Sequence, residues 1–305
     1  MIVEQAAKRL ALPIPYLLKV ATTASYRYKE YTIPKKSGGV RIIHHPAKEL
    51  KLLQGWLLHG PLAALPVHDA ATAYRVGIGI RQNAEKHVSS DYILRVDFQD
   101  FFPSLHDRDV ASVLETNRRK MGDSITDVDL FFINRIVCRG SSLTIGAPTS
   151  PHLSNTIMFN FDTEWSERAR ALDVTYTRYA DDLYFSTNHP NVLENLLQEL
   201  RDYLRGQVSP TLRINERKTA FSSRKRRRLM AGLILTSDRK ISIGRHRKRV
   251  IKGLVMKLMR QQLQAGDIGT LRGWVSYLAS VEPSFVFALE RKYGVDFSDS
   301  KTWQT

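Results

Sequence analysis

The sequence predicts an α+β fold, with strands and helices mixed through the first three quarters and a mostly helical C-terminal part. Two observations carry this. Short β-favouring runs bounded by turn residues occur at 31–33, 40–43, 92–98 and 174–187. Between and after them, apolar residues recur at helical spacing, as at Leu50, Leu53 and Leu57 with Leu52 and Trp56. With 43% hydrophobic and 25% charged residues, the 305-residue composition is that of an ordinary globular chain.

Element by element, residues 1–28 read as helical, interrupted at Pro13 and Pro15. Residues 28–43 read as a hairpin with Ser37-Gly38-Gly39 as its turn. A helix at 50–58 precedes an apolar strand, 92–98, that reaches its polar end at Asp97. Helices are expected at 109–120 and 127–138, and one long helix at 153–170 after Pro148 and Pro151. Residues 174–187 form a strand–turn–strand, and 192–205 a helix. Residues 229–235 and 240–243 read as short strands. From Arg245 the pattern is helical, with Arg272-Gly273-Trp274 in a later helix. No repeat or low-complexity linker is visible.

No run of about twenty apolar residues exists, so no membrane-spanning helix is expected. The first residues carry charges where a signal peptide needs an apolar stretch. One cysteine, Cys138, rules out an internal disulfide and fits a reducing, cytoplasmic location. The net charge is +16, and residues 213–260 hold 17 basic residues against two acids. Such a block marks a polyanion partner, nucleic acid first, with a solubilising face as the plain alternative. Apolar residues 229–235 interrupt it, which argues for a folded segment. No amphipathic membrane anchor adjoins it.

Residues 176–185 read Tyr-Thr-Arg-Tyr-Ala-Asp-Asp-Leu-Tyr-Phe. Adjacent carboxylates at Asp181 and Asp182 repel unless a cation lies between them, although Asp-Asp also suits a solvated turn. Asp97, at the end of another strand, would complete a set of three if the two strands pair. Three carboxylates would hold two divalent ions, which serve an attacking hydroxyl and a leaving pyrophosphate. Lys35, Lys36 and Arg41 on the glycine-tipped hairpin would clamp a triphosphate, or would simply be solvated. Gly146, Ala147 and Pro148 open a proline-braced turn that allows close backbone approach, as the starts of many ordinary helices also do.

In this order, Tyr179-Ala180-Asp181-Asp182, Asp97 before Phe101-Phe102-Pro103-Ser104, and residues 146–151 resemble the fingers–palm motifs of reverse transcriptases. The match is similar above all to bacterial retron reverse transcriptases. Asn83-Ala84-Glu85-Lys86-His87 resembles their Asn-Ala-x-x-His element, and Met230-Ala231-Gly232-Leu233 stands where they show Val-Thr-Gly. Two departures are Ile145, where many relatives have glutamine, and Met230-Ala231 in place of Val-Thr.

The resemblance implies a right-hand polymerase architecture. N-terminal helices and fingers would occupy 1–90, and the palm 91–235 with fingers elements interleaved at about 107–145. An RNA-binding helical thumb would occupy 236–305. It implies Asp97, Asp181 and Asp182 as catalytic metal ligands for two Mg2+ ions, with Mn2+ a possible substitute. Lys35, Lys36, Arg41, Gly146, Ala147 and Pro148 would meet the nucleotide. Phe102 would exclude a 2′-hydroxyl, with a core aromatic the alternative. Lys218 would serve the pyrophosphate, with a surface lysine the alternative. Asn83, His87, Arg224, Lys225, Arg226, Arg227, Arg228, Arg245, Arg247, Lys248 and Arg249 would contact RNA, with bracing an equal role for His87. Trp274 and Tyr277 are assigned first to the thumb core, with base stacking second. The implied activity is RNA-directed DNA synthesis: part of a cognate noncoding RNA copied into multicopy single-stranded DNA, primed from an RNA 2′-hydroxyl. With no room for a toxin or nuclease domain, an antiphage role would need separate effector proteins. A group II intron-like or other bacterial reverse transcriptase, or a catalytically idle RNA-binding scaffold, are the alternatives.

Overall fold

A computed structural model describes residues 1–35 and 38–303. Lys36, a predicted triphosphate contact, and Ser37 of the predicted turn lie outside the described residues. The chain begins with α1 (Ile2–Leu10) and α2 (Ile14–Thr22), separated at Pro13 as the sequence predicts. Strands β1 (Tyr28–Pro34) and β2 (Val40–Pro46) pair antiparallel as a hairpin. Then come α3 (Lys48–His59), α4 (Ile80–Glu85) and β3 (Tyr92–Asp97). Helices α5 (Phe101–Ser104), α6 (Asp107–Thr116), α7 (Arg118–Met121) and α8 (Asp127–Val137) follow. After them run α9 (Ser150–Ile157), α10 (Phe159–Ala171), β4 (Thr175–Tyr179), β5 (Asp182–Thr187) and α11 (Val192–Gly206). Strands β6 (Ala220–Ser223), β7 (Arg228–Met230), β8 (Leu233–Leu235) and β9 (Ile241–Ser242) lead into α12 (Arg245–Met259), α13 (Ala265–Val281) and α14 (Pro283–Tyr293).

The central sheet is antiparallel, in the order β4-β5-β3-β6. Both of its faces are covered. Side chains alternate along a strand, so β3 sends Leu94 and Val96 to one core and Ile93 to another. Strand β5 divides likewise, Leu183 and Phe185 to the first and Tyr184 to the second. The first core is closed by α10 and α11. Helix α11 presents Leu193, Leu196, Leu197, Leu200 and Leu204 as one stripe. Trp165 of α10 packs edge-on against Phe185 at 5.9 Å. The second core gathers Met230, Leu233 and Leu235 with Ile251, Val255 and Leu258 of α12, Leu271 and Leu278 of α13 and Leu289 of α14.

Three predicted elements are divided. The long helix at 153–170 breaks at Met158. Met158 leaves the helical backbone region there, with φ −80° and ψ 2°. The helix at 109–120 breaks at Asn117, whose amide returns to the Val113 carbonyl. The run 229–235 is a hairpin in which Met230 pairs with Leu233. Ala231 and Gly232 turn it with φ of +45° and +86°, as a two-residue turn of this hand requires. Strand β6 and helices α4 and α5 are additional to the predicted elements.

Candidate active site

Strands β3 and β5 pair so that Asp97 stands opposite Asp182 at the sheet end. The Phe98 amide donates to the Asp181 carbonyl at 3.0 Å, which brings Asp181 over the same edge. Residues 213–215 run along the other side of Asp97. Asn215 N donates to the Asp97 carbonyl at 2.8 Å, and Asn215 Nδ2 to Asp97 Oδ1 at 3.1 Å. Lys218 Nζ lies 2.9 Å from both Asp97 carboxylate oxygens. Arg95, two residues before Asp97 and therefore on its face of β3, forks onto Asp182 at 2.8–3.1 Å. Tyr184 donates to Asp182 Oδ2 at 3.2 Å and accepts from the Ala231 amide at 2.9 Å.

The two-residue turn carrying Asp181 needs a left-handed backbone at Ala180, φ +58°. Arg178 secures it. Its Nη1 donates to the Ala180 carbonyl at 3.1 Å, while Nη2 meets Asp162 at 2.6 Å. Both partners of that ion pair are fully buried. Tyr176 and Asn155 complete their hydrogen bonding, as a buried pair requires.

Burial raises the Asp181 carboxyl above its usual range, and the charge of Asp97 raises it further. Burial pushes Asp182 up to about 6 against the opposing pull of Arg95, with Asp181 adding to the rise. Among the described residues no three His, Cys, Asp or Glu side chains already converge as a metal-holding group. Lys218 and Arg95 hold the Asp97 and Asp182 oxygens instead. The donors nonetheless suit a hard divalent cation. They are carboxylate oxygens on adjacent strand ends, and two of the carboxyls carry raised pKa values that added positive charge would lower.

The β1–β2 hairpin reaches this site. The Ile145 carbonyl accepts from the His44 amide at 2.8 Å, and Gly146 takes φ +111° beside it. A Cβ on Gly146 would fall 2.5 Å from the His44 carbonyl oxygen, so only glycine lets the turn pass. Ala147 is buried and Pro148 half-buried. Lys35 and Arg41 are exposed on the hairpin. Tyr74, adjacent to this region, has φ +63°. For a bulky residue that conformation costs about 1–3 kcal/mol. Phe102 is half-buried, its ring centroid 6.5 Å from that of Tyr74.

Three predicted RNA contacts are corrected. Asn83 and His87 are fully buried. His87 bonds Ser186 and Thr177 at 2.7 Å, and Asn83 accepts from Thr177 at 2.6 Å. Burial, aided by Lys86, drives the His87 pKa down to about 3, so the imidazole is neutral. These side chains brace α4 on the sheet and cannot touch RNA. Arg228 is buried too, donating to the Ser90 and Thr236 carbonyls. Arg224 pairs with Asp91, Arg247 donates to the Gly232 carbonyl, and Lys248 pairs with Glu282. Lys225, Arg226, Arg227, Arg245 and Arg249 stand exposed.

Arg95, Asn215, Tyr184 and the Arg178–Asp162 pair join the site without a motif that marks them. Strand alternation was a usable signal for two of them. Arg95 shares a face with Asp97, and Tyr184 shares one with Asp182. Nothing in the sequence spacing links Asp162 to Arg178.

Three carboxylates at the end of an antiparallel sheet, a hairpin of basic residues and an exposed basic surface are the arrangement expected of a template-directed nucleotidyltransferase. The reverse transcriptase (RNA-dependent DNA polymerase) family model matches residues 33–235. The retron Ec83 reverse transcriptase of Escherichia coli is 38% identical over 273 residues, covering 88% of this chain and 87% of that one. The retron Ec73 enzyme of E. coli is 31% identical, covering 87% and 86%. The retron Mx162 enzyme of Myxococcus xanthus is 33% identical, covering 77% and 53%. The chain belongs to the reverse transcriptase family, among the bacterial retron enzymes. It is an RNA-directed DNA polymerase, with an RNA template and nucleotides as substrates, and reverse transcriptases work with divalent metal ions. No helix among the described residues is long and apolar enough to cross a membrane.

Proposed function

We propose that this enzyme copies part of a cognate structured noncoding RNA into multicopy single-stranded DNA, primed from an RNA 2′-hydroxyl. The observation that supports this most is the register of Asp97 with Asp182, beside Asp181, in a chain related to retron enzymes over most of their length. Asp97, Asp181 and Asp182 act as ligands for two Mg2+ ions, replaceable by Mn2+. Bound there, such ions favour ionisation of the attacking hydroxyl and neutralise a departing pyrophosphate. Lys35 and Arg41 clamp the triphosphate, and the backbone of Gly146, Ala147 and Pro148 shapes the pocket against the hairpin. Phe102 takes the sugar, and Lys218 gives a proton to the leaving group.

Exposed Lys225, Arg226, Arg227, Arg245 and Arg249 hold RNA phosphates, with Arg224, Arg247 and Lys248 at their margin. Fingers occupy 1–90 with elements at 107–145, and the palm begins at 91. The palm runs to 235, and the thumb occupies 236–305. The enzyme works in the cytoplasm with separate effector proteins in antiphage defence.

The test joins two measurements. Nucleic acid recovered with the protein is expected to contain short DNA joined to RNA and sensitive to 2′–5′ debranching. Asp181→Ala is expected to abolish nucleotide incorporation and retain RNA binding. Incorporation on an added template-primer without branched DNA would favour another bacterial reverse transcriptase. Undiminished incorporation by Asp181→Ala would remove the site assignment.

A further inference from the structure

We propose that Tyr74 is a substrate-positioning residue of the nucleotide site, its ring and that of Phe102 together forming the wall that receives the deoxyribose. This rests on the reading of Asp97, Asp181 and Asp182 as the polymerase site.

The backbone of Tyr74 is the first observation. A bulky residue with φ +63° is an outlier, and its surroundings hold it there. Thr72 N and Oγ1 donate to the Arg178 carbonyl at 2.8 and 3.0 Å. Asn155 Nδ2 donates to the Ala73 carbonyl at 2.9 Å. Arg75 returns to the Ala71 carbonyl at 3.3 Å. The segment is therefore anchored to the same arginine that supports the Asp181 turn.

Burial does not explain the strain, because Tyr74 is 50% exposed. A turn needing only a left-handed residue is served better by glycine or asparagine. What the tyrosine adds is a ring 6.5 Å from Phe102, inclined at 48°. Its phenol also feels the site. The partial burial of its ring raises its pKa first and Asp181 raises it further, while Arg41 opposes. Tyr74 thus stands within electrostatic reach of both a proposed metal ligand and a proposed triphosphate contact. A nucleoside triphosphate held by Arg41 with its sugar on Phe102 would meet Tyr74 as the neighbouring ring. Backbone strain held by several bonds beside a reaction centre is a device for pre-positioning.

The experiment is single-nucleotide incorporation on an RNA template, with dNTP and rNTP compared, for wild type, Tyr74→Ala, Tyr74→Phe and Tyr74→Gly. Tyr74→Ala is expected to raise the dNTP KM about tenfold and to narrow the dNTP-over-rNTP preference by a similar factor, with kcat little changed. Tyr74→Phe is expected to keep the preference. Tyr74→Gly is expected to match Tyr74→Ala in KM while its Tm stays level or rises, because glycine adopts this φ freely. A purely structural Tyr74 would lower Tm in the alanine variant and leave both KM and the dNTP-over-rNTP ratio unchanged. That outcome overturns the inference and leaves the polymerase reading intact. A wild type that incorporates neither nucleotide overturns both.

Discussion

Asp182 carries an unusual burden for one side chain. Its carboxyl is held up at about 6 by burial, above its ordinary value, so the folded protein disfavours the ionised form. The penalty is absent at about pH 4 and below, grows through the window up to about 6, and is complete above it. Once complete, it amounts to about 3 kcal/mol. Metal-free protein is expected to lose stability as pH rises through this window, and Asp182→Asn to remove most of the loss. Thermal melts at about pH 4 and pH 7.5 check this; the same Tm difference between variant and wild type at both would refute it. The aspartates were legible because like charges side by side need a reason. Their partners were less so. Arg95 could have been placed by counting two residues along a strand, whereas Asp162 reaches Arg178 only through the fold.

At the scale of elements, the turn at Gly146 and the hairpin it touches show what patterning can and cannot convey. The glycine–proline turn was visible in the sequence; its contact with the His44 carbonyl was not, because 102 residues separate the two. Gly146→Ala is expected to cost about 2 kcal/mol or more and to raise the KM for dNTP as the hairpin is pushed aside. Gly140→Ala, with φ +63° and nothing within 4 Å, is the control and should cost only about 1 kcal/mol. Equal Tm losses and an unchanged KM would disconnect the turn from the hairpin. The basic run 224–228 teaches a related lesson. A row of arginines reads as uniformly exposed, yet Arg228 lies two residues before Met230 on β7 and shares its buried face. Neutralising Lys225, Arg226 and Arg227 is therefore expected to flatten the salt dependence of RNA binding by up to about 2–3 logarithmic units of slope. Arg228→Gln is expected to lower Tm instead. An unchanged slope in the triple variant would take that surface out of the RNA interface.

Over the whole molecule, the central sheet is a partition between two cores. This explains why neighbours Ile93 and Leu94 are both buried, each under a different core, whereas from Leu94 to Phe98 the strand alternates and sets Arg95 and Asp97 together on the site face. The mixed strand–helix order and the helical C-terminal part were legible, since each follows from local periodicity. The division of core residues was not, because it depends on which helices reach which face. Tyr184 is where the partition becomes mechanical. Its side chain enters the second core, its hydroxyl donates to Asp182, and the same oxygen receives the Ala231 amide from the β7–β8 turn. The phenol is a coupling rod. Any displacement of that turn would therefore reach the Asp182 carboxylate through one hydroxyl, as a gained or lost hydrogen bond.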